Sequence, residues 1–331
     1  MTTPPELPVL PDLPVLPELP VLLDIKQQVR EFYDRIGWQE VSIDADGGSR
    51  YQNARYEDLR PVAREYIHRC HMRVARHLKP SGKFFLDAGS GPIQYREYLE
   101  YSRGYQARVC ADISIVALQE ARRRIGDRQD GGHGLFVVAD VARLPFKADV
   151  FEGLVSLHTI HHLPDTENEQ AYRELYRVLI PRSTGVVVNG WGSSRLMAPF
   201  SRPVRWVKRL SKKIRRMKGV QSGLNTTTAE QEVETRQHFR CAPSGANKRE
   251  KSLISTYVSK NTSTRLKQEV GKVIPLEILV WRSVTVGFLR TFIHPFLGGR
   301  WFLRLLFWLE ERYPHFFGEN GQYPLIVIHK A

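Results

Sequence analysis

The stretch Phe84-Phe85-Leu86-Asp87-Ala88-Gly89-Ser90-Gly91 places an acid at the end of an apolar run, followed by two glycines one residue apart. Such a run reads as a buried strand entering a turn where the backbone comes close to something else. Asp87 ahead of the first glycine favours a ligand with positive charge or several donors, which is not how a pyrophosphate is held. Two more acids close the next apolar runs: Asp112 after Val109-Cys110-Ala111, and Asp140 after Val138-Ala139. A fourth run ends in Ser156-Leu157-His158-Thr159, with His161 and His162 just beyond. A carboxylate can accept two hydrogen bonds at once. Histidine exchanges protons near neutral pH. The rival reading of each acid alone is the cap of a following helix, and the histidines could simply line a pocket or cap the turn Leu163-Pro164-Asp165.

Holding these side chains together requires a parallel sheet. Apolar strands are expected at 83–88, 107–111, 135–139, 152–157 and 184–190, with helices near 94–101, 114–124 and 167–179. That alternation predicts an α/β fold of βαβ units with helices on both sheet faces. Ligands of such sheets bind at the carboxyl ends of the strands, near the point where strand order reverses. A helix over 23–38, a loop over 39–58 and a second helix over 60–78 precede the sheet. After Trp191 the rhythm breaks: 195–260 is polar and basic. A strand near 275–284, an aromatic helical stretch near 299–313 and a strand at 325–328 follow. The expected organisation is a Pro-rich tail (1–22), N-terminal helices covering the site (23–80), a Rossmann-like core (81–194), a basic insertion (195–260) and a C-terminal part completing the sheet (261–331).

A dinucleotide site would want a third glycine at position 94, which is Gln94, and an apolar residue in place of Asp87. It would also leave Asp140 and the Arg143-Leu144-Pro145-Phe146 beyond it without a role. The combination instead resembles the class I S-adenosylmethionine (SAM)-dependent methyltransferases, within them the small-molecule group that includes the quinone-biosynthesis C-methyltransferases (methyltransferase type 11 domain). The residues that carry this are Leu86 to Pro92, Asp112, Ala139-Asp140 with Arg143 to Phe146, and Glu174-Leu175-Tyr176-Arg177-Val178-Leu179. The likeness spans about 80–191, with a weaker echo in 262–331, and implies a seven-stranded Rossmann-like sheet.

The resemblance assigns Gly89 and Gly91 to the methionine part of the cofactor and Asp87 to its ammonium group. Asp112, with Ile113 beside it, falls to the ribose, and Asp140 and the Val141 amide to the adenine; His158 lies at the cofactor's edge. A catalytic base is sought among His158, His161 and His162, and no ligand spacing for a metal is present. Tyr33 or Trp38 could close the pocket. The sequence departs from the family where Ile93 replaces a third glycine, and where Ile180-Pro181-Arg182-Ser183 stands for a Lys-Pro-Gly-Gly turn.

The chain has 331 residues and a net charge of +14, so an anionic partner is plausible. Its three cysteines, with no CxxC, predict neither disulfides nor a zinc site and suit a reducing cytoplasm. No leader peptide and no spanning helix are expected. Three proline-rich hexapeptides fill 5–22, for which an extended conformation is expected. Residues 202–218 form a basic amphipathic pattern through Val207, Leu210, Ile214 and Met217, readable as a membrane-surface contact or a solvated cap. The expected function is methyl transfer to a small lipophilic acceptor, with the protein cytoplasmic or peripheral at the inner face of a membrane. An RNA or other polyanion acceptor ranks second, and a non-catalytic SAM-binding or membrane-associated protein third.

Overall fold

The structure is a computed structural model, and it describes residues 19–38, 40–43, 49–51, 57–126, 133–207, 209–211 and 257–331. Helix α1 (Leu19–Phe32) runs into a π-helical turn, Tyr33–Gly37. A hairpin follows, β1 (Glu40–Ile43) paired antiparallel with β2 (Ser49–Tyr51). Two expectations are corrected here. Residues 39–58 are not all loop, and α1 begins at Leu19, inside the proline-rich run. Pro20 falls in the first turn of α1, where a missing amide donor costs nothing.

The main sheet has seven strands: β3 (Ser81–Ala88), β4 (Gly104–Asp112), β5 (His133–Val138), β6 (Phe151–Leu157), β7 (Leu179–Val188), β8 (Leu276–Arg282) and β9 (Tyr323–Lys330). Their order is β5-β4-β3-β6-β7-β9-β8. The first five pair in parallel, while β9 runs antiparallel between β7 and β8. The order reverses at β3 and β6, which are direct neighbours. Because β9 is reversed, its first residue, Tyr323, lies at the same edge as the carboxyl ends of the other six strands.

Alternation along β3 splits the core into two layers. Phe85 faces one cluster with Ile67, Tyr105, Trp281 and Phe307. Leu86 faces the other with Leu154, Tyr172, Leu175 and Ile326. Helix α2 (Arg64–Arg73), α3 (Glu97–Glu100) and the later helices α7 (Val286–Phe292) and α8 (Gly299–Arg312) contribute to the first layer. Helix α5 (Asn168–Val178) and α6 (Ser263–Glu269) contribute to the second, and α4 (Ile115–Gly126) packs on β4 and β5. A last short helix, α9 (Pro314–Asn320), packs on β8. Helices α6, α7 and α9 were not anticipated from the sequence. Each has seven residues, too few to display a helical period. Within the basic insertion, 201–207 is helical, whereas Ile214 and Met217 lie outside the described residues.

Candidate active site

The turn after β3 is built from left-handed residues: Gly89 at φ 75°, Gly91 at φ 54° and Ile93 at φ 54°. Glycine is required at 89 because an added Cβ would sit 2.2 Å from the Thr159 side chain, and Thr159 Oγ1 donates to the Gly89 carbonyl (3.0 Å). At 91 an added Cβ would meet the Trp38 ring at 3.0 Å. Ile93 keeps the backbone shape of the glycine it replaces, at a cost of about 1–2 kcal/mol for an L-residue. Its side chain is 1% exposed, and that burial offsets the strain.

Asp87 is buried, and its Oδ2 is gripped by Arg108 Nη2. Arg108 also donates to the Tyr98 carbonyl (2.6 Å) and to Ser102 Oγ (3.0 Å). Asp87 therefore already has a cationic partner, from the middle of β4, which the sequence did not reveal. Asp112 accepts from the Gly91 and Ser114 amides, both at 2.8 Å. Burial pushes its carboxyl up to about 6, against the pull of those two amides. Asp140 Oδ1 accepts from the Ala142 amide (2.9 Å), and its Oδ2 pairs with Lys26 of α1. The same Lys26 ammonium reaches Glu167 at 2.5 Å. Ile113 lies in the bend after β4, half-buried, and Val141 is buried in the turn after Asp140.

The N-terminal segment lies across this edge. Tyr33 stacks on Trp38 with centroids 5.0 Å apart, and Trp38 in turn meets Tyr51 edge-on. Asp34 accepts from Ser114 Oγ at 2.5 Å. Tyr33 Oη lies 2.7 Å from His162 Nε2, and His162 Nδ1 lies 2.7 Å from the Tyr257 carbonyl. A carbonyl only accepts, so Nδ1 carries the proton and Nε2 accepts from the Tyr33 hydroxyl. Burial pushes the His162 imidazole down to about 4, in keeping with this neutral tautomer.

The three histidines diverge. His161 contacts Asn189 Oδ1 at 3.3 Å, and burial holds its ring well below the usual range. His158 adopts a left-handed backbone (φ 56°), and its amide donates to the Val188 carbonyl at 2.6 Å. Its ring is edge-on to Trp281 (5.0 Å) and Tyr323 (5.8 Å), with no hydrogen bond to it among the described residues. Burial pushes its pKa down to about 4, Glu57 opposing and Arg282 reinforcing the shift.

Behind His158 lies a group of residues that the sequence did not single out. Arg282, 1% exposed, pairs with the buried Glu57 and lies over the Tyr323 ring at 4.5 Å. Burial pushes the Glu57 carboxyl up, but Arg282 and His71 outweigh it and hold it at about 2. His71 stacks on the other face of this cluster against Trp281 (5.5 Å) and is flanked by Tyr95 and Tyr98. Its nitrogens stand 4.0 Å from Glu57 and 3.9 Å from Glu97, in ion-pair rather than hydrogen-bond range. Burial opposes its charged form, yet the two carboxylates raise its pKa above the usual value. A weak hint was available in Arg282 alone, an isolated charge directly after the apolar run Ile278-Leu279-Val280-Trp281.

Residues 86–187 match a family described as a methyltransferase domain. The chain therefore carries a methyltransferase domain in the parallel half of its sheet. S-adenosylmethionine is its cofactor. Among curated proteins, a tRNA (carboxymethyluridine(34)-5-O)-methyltransferase of Arabidopsis thaliana is 24% identical over 192 residues, which are 52% of this chain and 44% of that one. The chain thus spans less than half the length of this relative. Among solved structures, geranyl diphosphate C-methyltransferase of Streptomyces coelicolor A3(2) is 14% identical, covering 93% of this chain and 98% of that one, at a TM-score of 0.46. A Haemonchus contortus phosphoethanolamine N-methyltransferase is 16% identical, covering 78% and 52%, at a TM-score of 0.41.

Proposed function

We propose that the protein methylates a small, largely apolar acceptor held among His158, Trp281 and Tyr323. The observation that carries this reading is the ring cluster at the ends of β6, β8 and β9, closed from above by the Tyr33–His162 contact. Along this edge the acids Asp34, Asp112, Asp140 and Glu167 outnumber the bases Lys26 and Arg30 that pair with them, which favours a polyanion less than a small acceptor.

The residues of the turn fit the cofactor. Asp112 is positioned to accept from two ribose hydroxyls, its amide contacts fixing the carboxylate in place. Ile113 and Val141 offer apolar contact and a backbone amide for the adenine, and Asp140 accepts from its amine, sharing or displacing Lys26. Gly89 and Gly91 leave the backbone open towards the methionine end, with Asp87 and Arg108 beneath. Bound there, SAM supplies a methyl group already activated on a sulfonium. The chain then needs only to align the acceptor and exclude water, which accounts for much of the rate in such transfers. His158, neutral at pH 7 and with its ring uncommitted among the described residues, is the group we assign to receive any acceptor proton. His162 serves closure instead, since both its nitrogens are engaged.

A nucleic-acid acceptor is the second reading, favoured by the likeness to a tRNA methyltransferase and by the charge of +14. The two separate on incubation with methyl-tritiated SAM and either a total lipid extract or bulk tRNA. Label is expected in the organic phase. Label in acid-precipitable RNA, with filter binding that weakens steeply with salt, would establish the second reading instead.

A further inference from the structure

Away from the site, helix α8 and the turn before it carry a large exposed apolar surface. Trp301, Leu305 and Trp308 recur at i, i+4 and i+7, so they share one stripe. They are 75%, 55% and 60% exposed. Phe296 and Leu297, in the 3-10 turn Pro295–Leu297, are 84% and 72% exposed. The opposite face of α8, Leu303, Leu306 and Phe307, is buried in the core. The surface continues sideways: Phe302 meets Phe288 at 6.4 Å and Phe288 meets Phe200 at 4.9 Å. Phe200 leads into the helical residues 201–207, where Trp206 is exposed. Apolar patches of this kind on soluble chains mark contact surfaces.

Charge identifies the partner. Arg300 and Arg304 flank the stripe on α8, and Arg202, Arg205 and Arg209 are exposed on the neighbouring segment. A groove of about 480 Å3 between α2 and α8 is lined by Arg64, Arg69, Arg300 and Arg304 against Glu65 and Glu97. Tryptophan rimmed by arginine suits the boundary between lipid headgroups and acyl chains, where the ring meets apolar chains and the guanidinium meets phosphate. We propose that this face docks the protein on the surface of an anionic lipid bilayer. No helix among the described residues is long and apolar enough to cross a membrane, so the contact is interfacial. It differs from the expectation at 202–218 in placing the apolar anchor on α8, with 200–211 as its basic flank. The proposal goes beyond methyl transfer and does not depend on it.

Co-sedimentation of the full chain with phosphatidylcholine vesicles, with and without phosphatidylglycerol, tests this. Binding is expected to the anionic vesicles and to weaken as salt rises. The double variant Trp301→Glu/Trp308→Glu should lower the partition coefficient on the order of a hundredfold, with unchanged melting temperature and SAM affinity. Arg300→Ala/Arg304→Ala should lower it on the order of tenfold, on anionic vesicles alone. Absence of binding to anionic vesicles, or a Trp301→Glu/Trp308→Glu variant that partitions like the parent, would overturn the proposal. So would a dimer in buffer that the double variant dissolves while vesicles leave the parent in solution, since a second copy would then be the occupant.

Discussion

At the ends of β3, β4 and β5 the site is made of short acids, each met by a backbone amide or a basic side chain. At the ends of β6, β8 and β9 it is made of rings around the buried Glu57–Arg282 pair. The two halves share one sheet edge but are assembled differently. In the first, two of the three acids are held by amides two residues further on, Asp112 by Ser114 and Asp140 by Ala142, and Asp87 is held by Arg108 of the adjacent strand. In the second, Glu57, His71, His158, Arg282 and Tyr323 come from segments scattered over most of the chain. Local assembly suits a cofactor of fixed shape. Assembly from distant segments lets the proposed acceptor side vary without disturbing the proposed cofactor side.

Breaking the second half should produce the largest effect. Arg282→Met strands the Glu57 carboxylate in the core, and removal of one member of a buried pair costs about 3–5 kcal/mol. Chemical denaturation should show that loss, and adding Glu57→Gln should recover much of it. Cofactor affinity should change far less than stability, and an equal loss of both would mean that the two halves are not separable.

The first half responds in the opposite way. Asp112→Ala should weaken SAM binding by about a hundredfold, the loss of two hydrogen bonds to a charged acceptor, with stability little altered. Calorimetry on the purified chain checks this, and an unchanged affinity would remove Asp112 from the cofactor site. The pH response follows from the same carboxyl, raised by burial from 3.8 to about 6. Because the folded state holds this proton more tightly than the unfolded chain, Asp112 subtracts stability as pH rises from about 4 to about 6. The ionised form is the better acceptor for hydroxyls, so affinity should fall as pH drops below 6, about tenfold by pH 5. Asp112→Asn should flatten that profile.

The contrast also explains what could be read in advance. The strand alternation, the acid-bearing strand ends and the glycine turn are written in consecutive residues, so the parallel half of the sheet was legible. Ile93 was legible as a departure but not in its consequence. Only the backbone shows that it holds φ 54°, as Arg182, within β7 where the resemblance implied a glycine turn, holds φ 58°. The Asp87–Arg108 pair was hidden because Arg108 interrupts an apolar strand, and its partner lies 21 residues away on the neighbouring strand. The half built of rings was hidden more deeply. Nothing near Glu57 in sequence predicts that it meets β8, and the pairing of His162 with Tyr33 spans 129 positions.

That last contact is where the halves meet, and it provides the finest test of their separation. Tyr33 stacks on Trp38, which covers Gly91 on the cofactor side, while its hydroxyl donates to His162 on the acceptor side. Tyr33→Phe keeps the stack and deletes only the hydrogen bond, worth about 1 kcal/mol. SAM affinity should therefore remain near that of the parent, while KM for the acceptor rises a few-fold as closure over His158 weakens. His162 would keep its bond to the Tyr257 carbonyl, so its ring should not reorient, and an Nδ1-protonated imidazole should persist in nitrogen-resolved NMR. If SAM affinity fell along with the acceptor KM, Tyr33 would act on both halves through the Trp38 stack, and the covering segment would couple the two sites rather than merely span them.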